Sequence, residues 1–274
     1  MTKVKSKNNY LAKFLEMKQQ GEKICMLTAY DYAMAKCVSA TSVDLILVGD
    51  SLGMVVLGYA DTLQVTLEDM IEHCSAVRRG APDSFIIADM PYLTYHLSEE
   101  QTRQNAAELI VQGKADAIKL EGGSGTRVQA IKAIVDMEIP VCAHLGLTPQ
   151  SIRKFGGYLV QGKKPEQQEE LLNQAKEVEK AGAFMLVLEG IPELLGKEIT
   201  EAVSIPTIGI GAGRYTDGQV LVYHDLLGYS DMQPKYVKQY ANLNNDIKAA
   251  IELYAQEVKS RAFPAAENIY FPIT

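Results

Sequence analysis

Short apolar runs recur along this chain, and amphipathic stretches separate them. The strand-like runs are ICMLTAY (24–30), LILVGDS (45–51), FIIADM (85–90), AIKLEG (117–122), VCAHLGL (141–147), FMLVLEG (184–190) and TIGIGAG (207–213), with QVLVYHD (219–225) as a candidate eighth. The intervening stretches carry helix start and stop signals. Thr66-Leu67-Glu68-Asp69 is a near capping box, and Arg78-Arg79-Gly80 closes that helix with terminal cations and a C′ glycine. Ser98-Glu99-Glu100-Gln101 opens the next helix, which ends near Gln112-Gly113. Pro165 starts an acidic amphipathic helix running to Ala181-Gly182. Strand, helix, strand, repeated through a chain of this length, predicts an α/β fold of the (β/α)8 TIM barrel type. A doubly wound open sheet is the runner-up, since no strand–Gly-rich turn–helix fingerprint occurs early.

Residues 9–20 carry Leu11, Phe14 and Leu15 at helical spacing and predict an N-terminal helix plugging the barrel bottom. Residues 235–260 predict a C-terminal helical extension. The whole chain, 1–274, reads as a single barrel domain. One junction fits poorly: only Arg214 to Gly218 separate runs seven and eight, where a parallel crossover takes roughly a dozen residues.

Four of the runs end in an acid: Asp50, Asp89, Glu121 and Glu189. Strands that lie side by side in a barrel share one C-terminal face, so these acids are expected at one mouth. Carboxylates that close need a cation or an altered protonation state, and oxygen ligands suit Mg²⁺ first and Mn²⁺ second.

Each candidate also has a plain structural explanation. Asp50, in Gly49-Asp50-Ser51-Leu52-Gly53, could cap the helix that follows. Asp89, before Met90-Pro91, could be a turn aspartate. Lys119 and Glu121 lie on one side of their strand by alternation. If that side is the interior, Lys119 pairs with an interior acid or meets an anionic substrate. His144 ends run five and is either a satisfied core residue or a substrate hydrogen bonder. Glu189, after a wholly apolar run, is a usable general base or a salt-bridged barrel carboxylate. Gly209, Gly211 and Gly213 suggest a phosphate turn or relief of crowding, and Phe155-Gly156-Gly157-Tyr158 suggests a mobile lid.

The net charge of -7 argues against nucleic acid or an anionic membrane as a partner. No run approaches the ~20 apolar residues of a membrane span. The basic N-terminus is not followed by an apolar signal-peptide core. The four cysteines have no C-x-x-C spacing; Cys25 and Cys142 sit in apolar runs and are expected to be buried, reduced thiols of a cytoplasmic protein.

The segments TAYD (28–31), VGDSLGM (48–54), AVRRGAP (76–82), ADMPY (88–92), KLEGG (119–123), HLGLTPQ (144–150), FGGY (155–158), LVLEG (186–190) and GIGAG–TDGQ–HD (209–225) occur in this order. Together they resemble the ketopantoate hydroxymethyltransferase family, over roughly Tyr10 to Phe263. The resemblance implies a (β/α)8 barrel that transfers a hydroxymethyl group from 5,10-methylenetetrahydrofolate to 3-methyl-2-oxobutanoate, giving 2-dehydropantoate for pantothenate and coenzyme A biosynthesis. It implies Mg²⁺ held by Asp50, Asp89 and Glu121. It implies substrate contacts from Asp50, Ser51, Asp89 and Lys119, with Glu189 as proton acceptor, and His144 is a further expected substrate contact from its position at the mouth. It also implies a large homo-oligomer, a decamer of pentamers. Gly190 departs from family members that carry Cys there, and residues 124–127 and the C-terminal tail also differ. The chemistry agrees: a 2-oxo acid chelates Mg²⁺ through carboxylate and ketone oxygens, and the metal stabilises the enolate left when the C3 proton departs. The alternative is a Mg²⁺-dependent C–C lyase or mutase of the isocitrate lyase–phosphoenolpyruvate mutase type.

Overall fold

In a computed structural model, residues 9–230 and 234–272 are described. The basic stretch at 1–8 lies outside the described residues. In chain order the elements are α1 (Tyr10–Gln20), β1 (Ile24–Thr28), α2 (Tyr32–Ser39), β2 (Leu45–Val48), α3 (Leu52–Val55), α4 (Leu67–Gly80), β3 (Phe85–Asp89), α5 (Glu99–Val111), β4 (Ala117–Glu121), α6 (Thr126–Val135), β5 (Val141–Gly146), α7 (Ile152–Phe155), α8 (Pro165–Lys180), β6 (Met185–Glu189), α9 (Glu193–Ala202), β7 (Thr207–Ile210), β8 (Gly218–Leu221), α10 (Tyr223–Leu226) and α11 (Leu243–Ser260). Two compact units divide between Tyr223 and His224.

The first unit holds the closed barrel. Eight parallel strands pair in chain order, and β8 pairs back onto β1 through Ile24↔Gly218 and Met26↔Val220. The interior is read directly from the period of two along each strand. Ile24 and Met26, Leu45 and Leu47, Phe85 and Ile87, Met185 and Val187 all belong to one buried cluster. The same parity carries on upward to Asp89, Lys119, Glu121, His144 and Glu189, so the charged residues occupy the layers above an apolar floor. That floor is closed from below by Phe14 and Met17 of α1, with Tyr10 and Leu11 packed against it. The predicted plug is therefore present, but Leu15 is 39% exposed and Met17 takes the inward position. The helical stripe runs through 14 and 17, three apart, and leaves 15 on the far face.

The helix signals hold at the residues that carry them. Thr66 and Asp69 form a full capping box at the start of α4, and Ser98 accepts from the Gln101 N–H at the start of α5. Gly80 has a different role from the expected C′ glycine. It is the last residue of α4, and a Cβ there would lie 2.3 Å from the Tyr32 carbonyl oxygen, so its absence lets α2 and α4 approach closely.

Cys142 is buried as expected, but Cys25 is exposed. Alternation turns Ile24 and Met26 inward and Cys25 outward, beside Asp44. The awkward β7–β8 junction is real: residues 211–217 join two parallel neighbours with no helix. Asp217 stabilises the bend, its carboxylate accepting from the Thr207 N–H at 2.8 Å and from Lys18 Nζ at 2.8 Å. Gly209 relieves crowding, since a Cβ would sit 2.6 Å from Thr216 Oγ1.

In the second unit the long helix begins at Leu243, later than the expected 235. Backbone bonds from Tyr240 N–H to the Leu226 carbonyl and from Leu243 N–H to the Leu227 carbonyl tie down the segment before it. Among the described residues, no helix is long and apolar enough to cross a membrane.

Candidate active site

β3, β4, β5 and β6 each deliver one or two polar side chains to the same end of the barrel, and the turn after β2 delivers Asp50. Asp50, Asp89, Lys119, Glu121 and His144 are all at most 5% exposed. Burying so many ionisable groups is unfavourable unless they satisfy one another.

Asp89 and Lys119 are register partners on neighbouring strands, and the Lys119 Nζ lies 3.1 Å from Asp89 Oδ1. Oδ2 of Asp89 accepts the Asp50 backbone N–H at 3.1 Å. Asp89 is thus committed to the site rather than to its own turn. Asp50 is not a helix cap either: Ser51 occupies the N-cap of the four-residue α3, and the Asp50 carboxylate instead accepts from Gln150 Nε2 at 2.8 Å. Gly49 permits this fold-back, because a Cβ there would stand 2.9 Å from Ser51 Oγ and 3.5 Å from Asp89 Oδ2. Ser51 shares a 2.7 Å hydrogen bond with the buried Tyr30 hydroxyl.

Glu121 and His144 are also register partners. His144 Nδ1 lies 3.2 Å from Lys119 Nζ and 3.5 Å from Glu121 Oε1, and Nε2 lies 3.2 Å from Glu189 Oε2. His144 therefore bridges Lys119 to Glu189 instead of standing alone at the mouth. Glu189, expected among apolar neighbours, has this imidazole facing it.

Protonation follows from the charge count. Burial, then Asp89 and Glu121, push the Asp50 carboxyl well above its usual range; burial also raises Asp89, against the pull of Lys119. Burial opposes the Lys119 charge, but the surrounding carboxylates prevail and raise its pKa. For His144, burial and Lys119 push down, while hydrogen bonds to Glu121 and Glu189 push up and win, to about 9. In the charged ring Nδ1–H turns to Glu121, and Lys119 keeps Asp89. Burial takes the Cys142 thiol up to about 12, so it is no nucleophile.

A stability prediction follows for protein stripped of divalent ions. His144 is raised from 6.5, so its contribution is fully present below 6.5 and is lost as pH rises through about 9. The raised carboxyls act with the same sign, because the folded state keeps protons the unfolded chain has released. Urea unfolding midpoints in chelator should fall from below pH 6.5 to above pH 9; a rising midpoint contradicts this arrangement.

Among the described residues, no group of three Asp, Glu, His or Cys is gathered tightly enough to hold a metal ion alone. The donors nonetheless fit Mg²⁺, which takes one or two carboxylates and completes its shell with water and substrate oxygens. Three buried acids crowd this end of the barrel, and Asp89 Oδ1 is buried with no hydrogen bond of good geometry, only the Lys119 charge. A cation beside Asp50 and Asp89 would take the place of the protons that burial holds on them.

Sequence reasoning missed three members of the site. Gln150 donates to Asp50 and to the Met90 carbonyl, Tyr95 donates to Gln150 Oε1 at 2.6 Å, and Tyr30 holds Ser51. All three lie in or beside motifs already singled out, TAYD, ADMPY and HLGLTPQ, but none carries a charge that would draw notice.

The sequence matches the ketopantoate hydroxymethyltransferase family over residues 8–266. A 3-methyl-2-oxobutanoate hydroxymethyltransferase of Clostridium beijerinckii is 52% identical over 263 residues, 96% of this chain and 95% of that protein. One from a Geobacillus species is 54% identical over 258 residues, covering 94% and 92%. Among solved structures, 2,3-dimethylmalate lyase, of the PEP mutase/isocitrate lyase superfamily, aligns with TM-score 0.60 at 15% identity, covering 96% and 92%. Phosphonopyruvate hydrolase with oxalate and Mg²⁺ aligns with TM-score 0.59 at 12% identity, covering 94% and 93%. At such identities these two establish the shared fold alone. The sequence matches, over nearly the full length of both partners, go further: this chain belongs to the ketopantoate hydroxymethyltransferase family.

Proposed function

We propose that the protein moves the one-carbon unit of 5,10-methylenetetrahydrofolate onto C3 of 3-methyl-2-oxobutanoate, giving 2-dehydropantoate. The observation that carries this is the gathering of four carboxylates, one buried lysine and one histidine at a single barrel mouth. Asp50 and Asp89 would hold Mg²⁺, with Glu121 adding charge behind them; a phosphonopyruvate hydrolase of the same fold is solved in complex with oxalate and Mg²⁺. When bound, Mg²⁺ would supply Lewis acidity toward the ketone oxygen of the 2-oxo acid and so weaken its C3–H bond.

The protein's own residues do the rest. Lys119 anchors the substrate carboxylate, and its charge is secured by Asp89. Glu189 takes the C3 proton as that C–H bond breaks. His144 Nε2, 3.2 Å from Glu189 Oε2, balances the charge of that carboxylate. The electron pair left at C3 forms the new C–C bond to the methylene carbon, which is at the formaldehyde oxidation level; its two bonds to N5 and N10 of tetrahydrofolate break, water provides the hydroxyl oxygen, and the C3 proton and the two water protons end on N5, N10 and the new hydroxyl, so no redox partner is needed. The apolar floor below, from Phe14 to Val220, keeps bulk water out of the reacting layer.

The test is product analysis with ¹³C-labelled methylene on tetrahydrofolate. Label in the hydroxymethyl carbon of 2-dehydropantoate, dependent on Mg²⁺, is expected. Unlabelled keto acid recovered intact, alongside cleavage of a 2,3-dialkylmalate, would contradict it and favour the lyase reading.

A further inference from the structure

We infer that Gln150 is a positioning residue of the reaction, whose carboxamide fixes the Asp50 carboxylate and ties it, through Tyr95, to Glu121. The inference rests on the proposed roles of Asp50 and Glu121 in binding. Gln150 is 5% exposed and stands on a 3-10 turn, Pro149–Ser151, just beyond β5. Its Nε2 donates to Asp50 Oδ2 at 2.8 Å and to the Met90 carbonyl at 2.9 Å, so both amide hydrogens are used. Its Oε1 accepts from the Tyr95 hydroxyl at 2.6 Å. Its backbone N–H donates to Glu121 Oε2 at 3.0 Å, and the Glu121 N–H in turn donates to the Tyr95 oxygen at 3.2 Å.

Only one orientation of the amide satisfies this set. Reversed, Oε1 would face the Met90 carbonyl, an acceptor with no hydrogen to give, and Nε2 would lose that acceptor. Tyr95 enforces the choice, because its single hydrogen must go to an acceptor. One residue, through its side chain and its backbone N–H, therefore joins the turns after β2 and β3, the end of β4 and the turn after β5. It opposes a specific force: once Asp50 is ionised, as holding a cation requires, it and Glu121 repel each other, and without the amide the freer of the two, Asp50 on its loop, would swing away.

The test uses Gln150→Leu, Tyr95→Phe and the double variant of the full chain. Affinity for Mn²⁺ alone is read from the electron paramagnetic resonance of the free ion, with KM and kcat for the 2-oxo acid and thermal midpoints alongside. Loss of an outer partner of a metal ligand typically costs about 10–100-fold in ion affinity or activity. Gln150→Leu should fall in that range, Tyr95→Phe should show a smaller loss, and the double variant should be no worse than Gln150→Leu, because the pair acts as a unit. Gln150→Glu, which keeps an acceptor for Tyr95 but no donor for Asp50, should not rescue. Losses that multiply in the double variant would overturn the inference. So would a lowered thermal midpoint with ion affinity and KM unchanged, the mark of a merely structural role. If the wild-type protein binds no Mn²⁺, the metal reading fails by itself, and KM of the 2-oxo acid still decides the role of Gln150. Should Gln150→Leu not fold, Tyr95→Phe, which removes a single oxygen, carries the comparison.

Discussion

Glu189→Gln is expected to slow removal of the C3 proton by about 10²–10⁴-fold, the usual contribution of a positioned general base. Ion and 2-oxo acid affinity should change little, since Glu189 touches His144 and not the Asp50–Asp89 pair. The substitution keeps size and an oxygen for the His144 Nε2–H, but it removes the basic electron pair. Steady-state kcat and direct binding of the keto acid, measured side by side, separate the two effects. A variant with near wild-type kcat would take the base role away from Glu189, and a variant that no longer binds keto acid would make it a binding residue.

Lys119→Met is predicted to lower both stability and turnover. The ammonium lies 3.1 Å from Asp89 Oδ1 and 3.2 Å from His144 Nδ1 in a site where, among the described residues, it is the only lysine, and its side chain is 6% exposed. Deleting one partner of a buried pair leaves an uncompensated charge and costs about 3–5 kcal/mol. Methionine has the right length and no charge, so the loss is electrostatic rather than a cavity. Two rescues follow. Lower pH should help, because Asp50 and Asp89, already pushed upward by burial, take up protons more readily still. Divalent ion should help more than it helps the wild type, and saturation at a hundredfold over Kd is worth about 2.7 kcal/mol. Neither rescue should restore turnover, because the substrate carboxylate has lost its anchor. Urea unfolding in chelator and then in Mg²⁺ reads this directly, and a variant as stable as wild type in chelator would show that Lys119 is not what offsets the acids.

Much of the fold was legible because barrel strands are short, apolar and stopped by charge. That pattern placed Asp89, Glu121 and Glu189 at the ends of β3, β4 and β6, whereas His144, read as a strand end, lies two residues before the end of β5; alternation put Lys119 and Glu121 on one side of β4, which is the interior side. It was less informative where geometry depends on distant partners. Asp50 looked like a strand terminus or a cap, yet β2 stops at Val48 and Asp50 turns back toward Gln150, a hundred positions along the chain. Gln150 and Tyr95 are neutral, and their roles exist only once three turns and the end of β4 converge. Leu15 and Met17 are equally apolar; which one faces the barrel depends on the tilt of α1, and a spacing rule does not contain that angle. Cys25 shows the same limit from the other side, since alternation says that one of two neighbours faces out but not whether anything covers it.

The most direct test of the account is proton NMR of 3-methyl-2-oxobutanoate in D₂O, with protein and Mg²⁺ and no folate. Glu189, the buried acids and Lys119 together predict that the C3 proton signal disappears only when protein and Mg²⁺ are both present, and that Glu189→Gln leaves it intact. A C3 proton that persists with active, Mg²⁺-loaded protein would contradict proton abstraction as the first chemical step at this site.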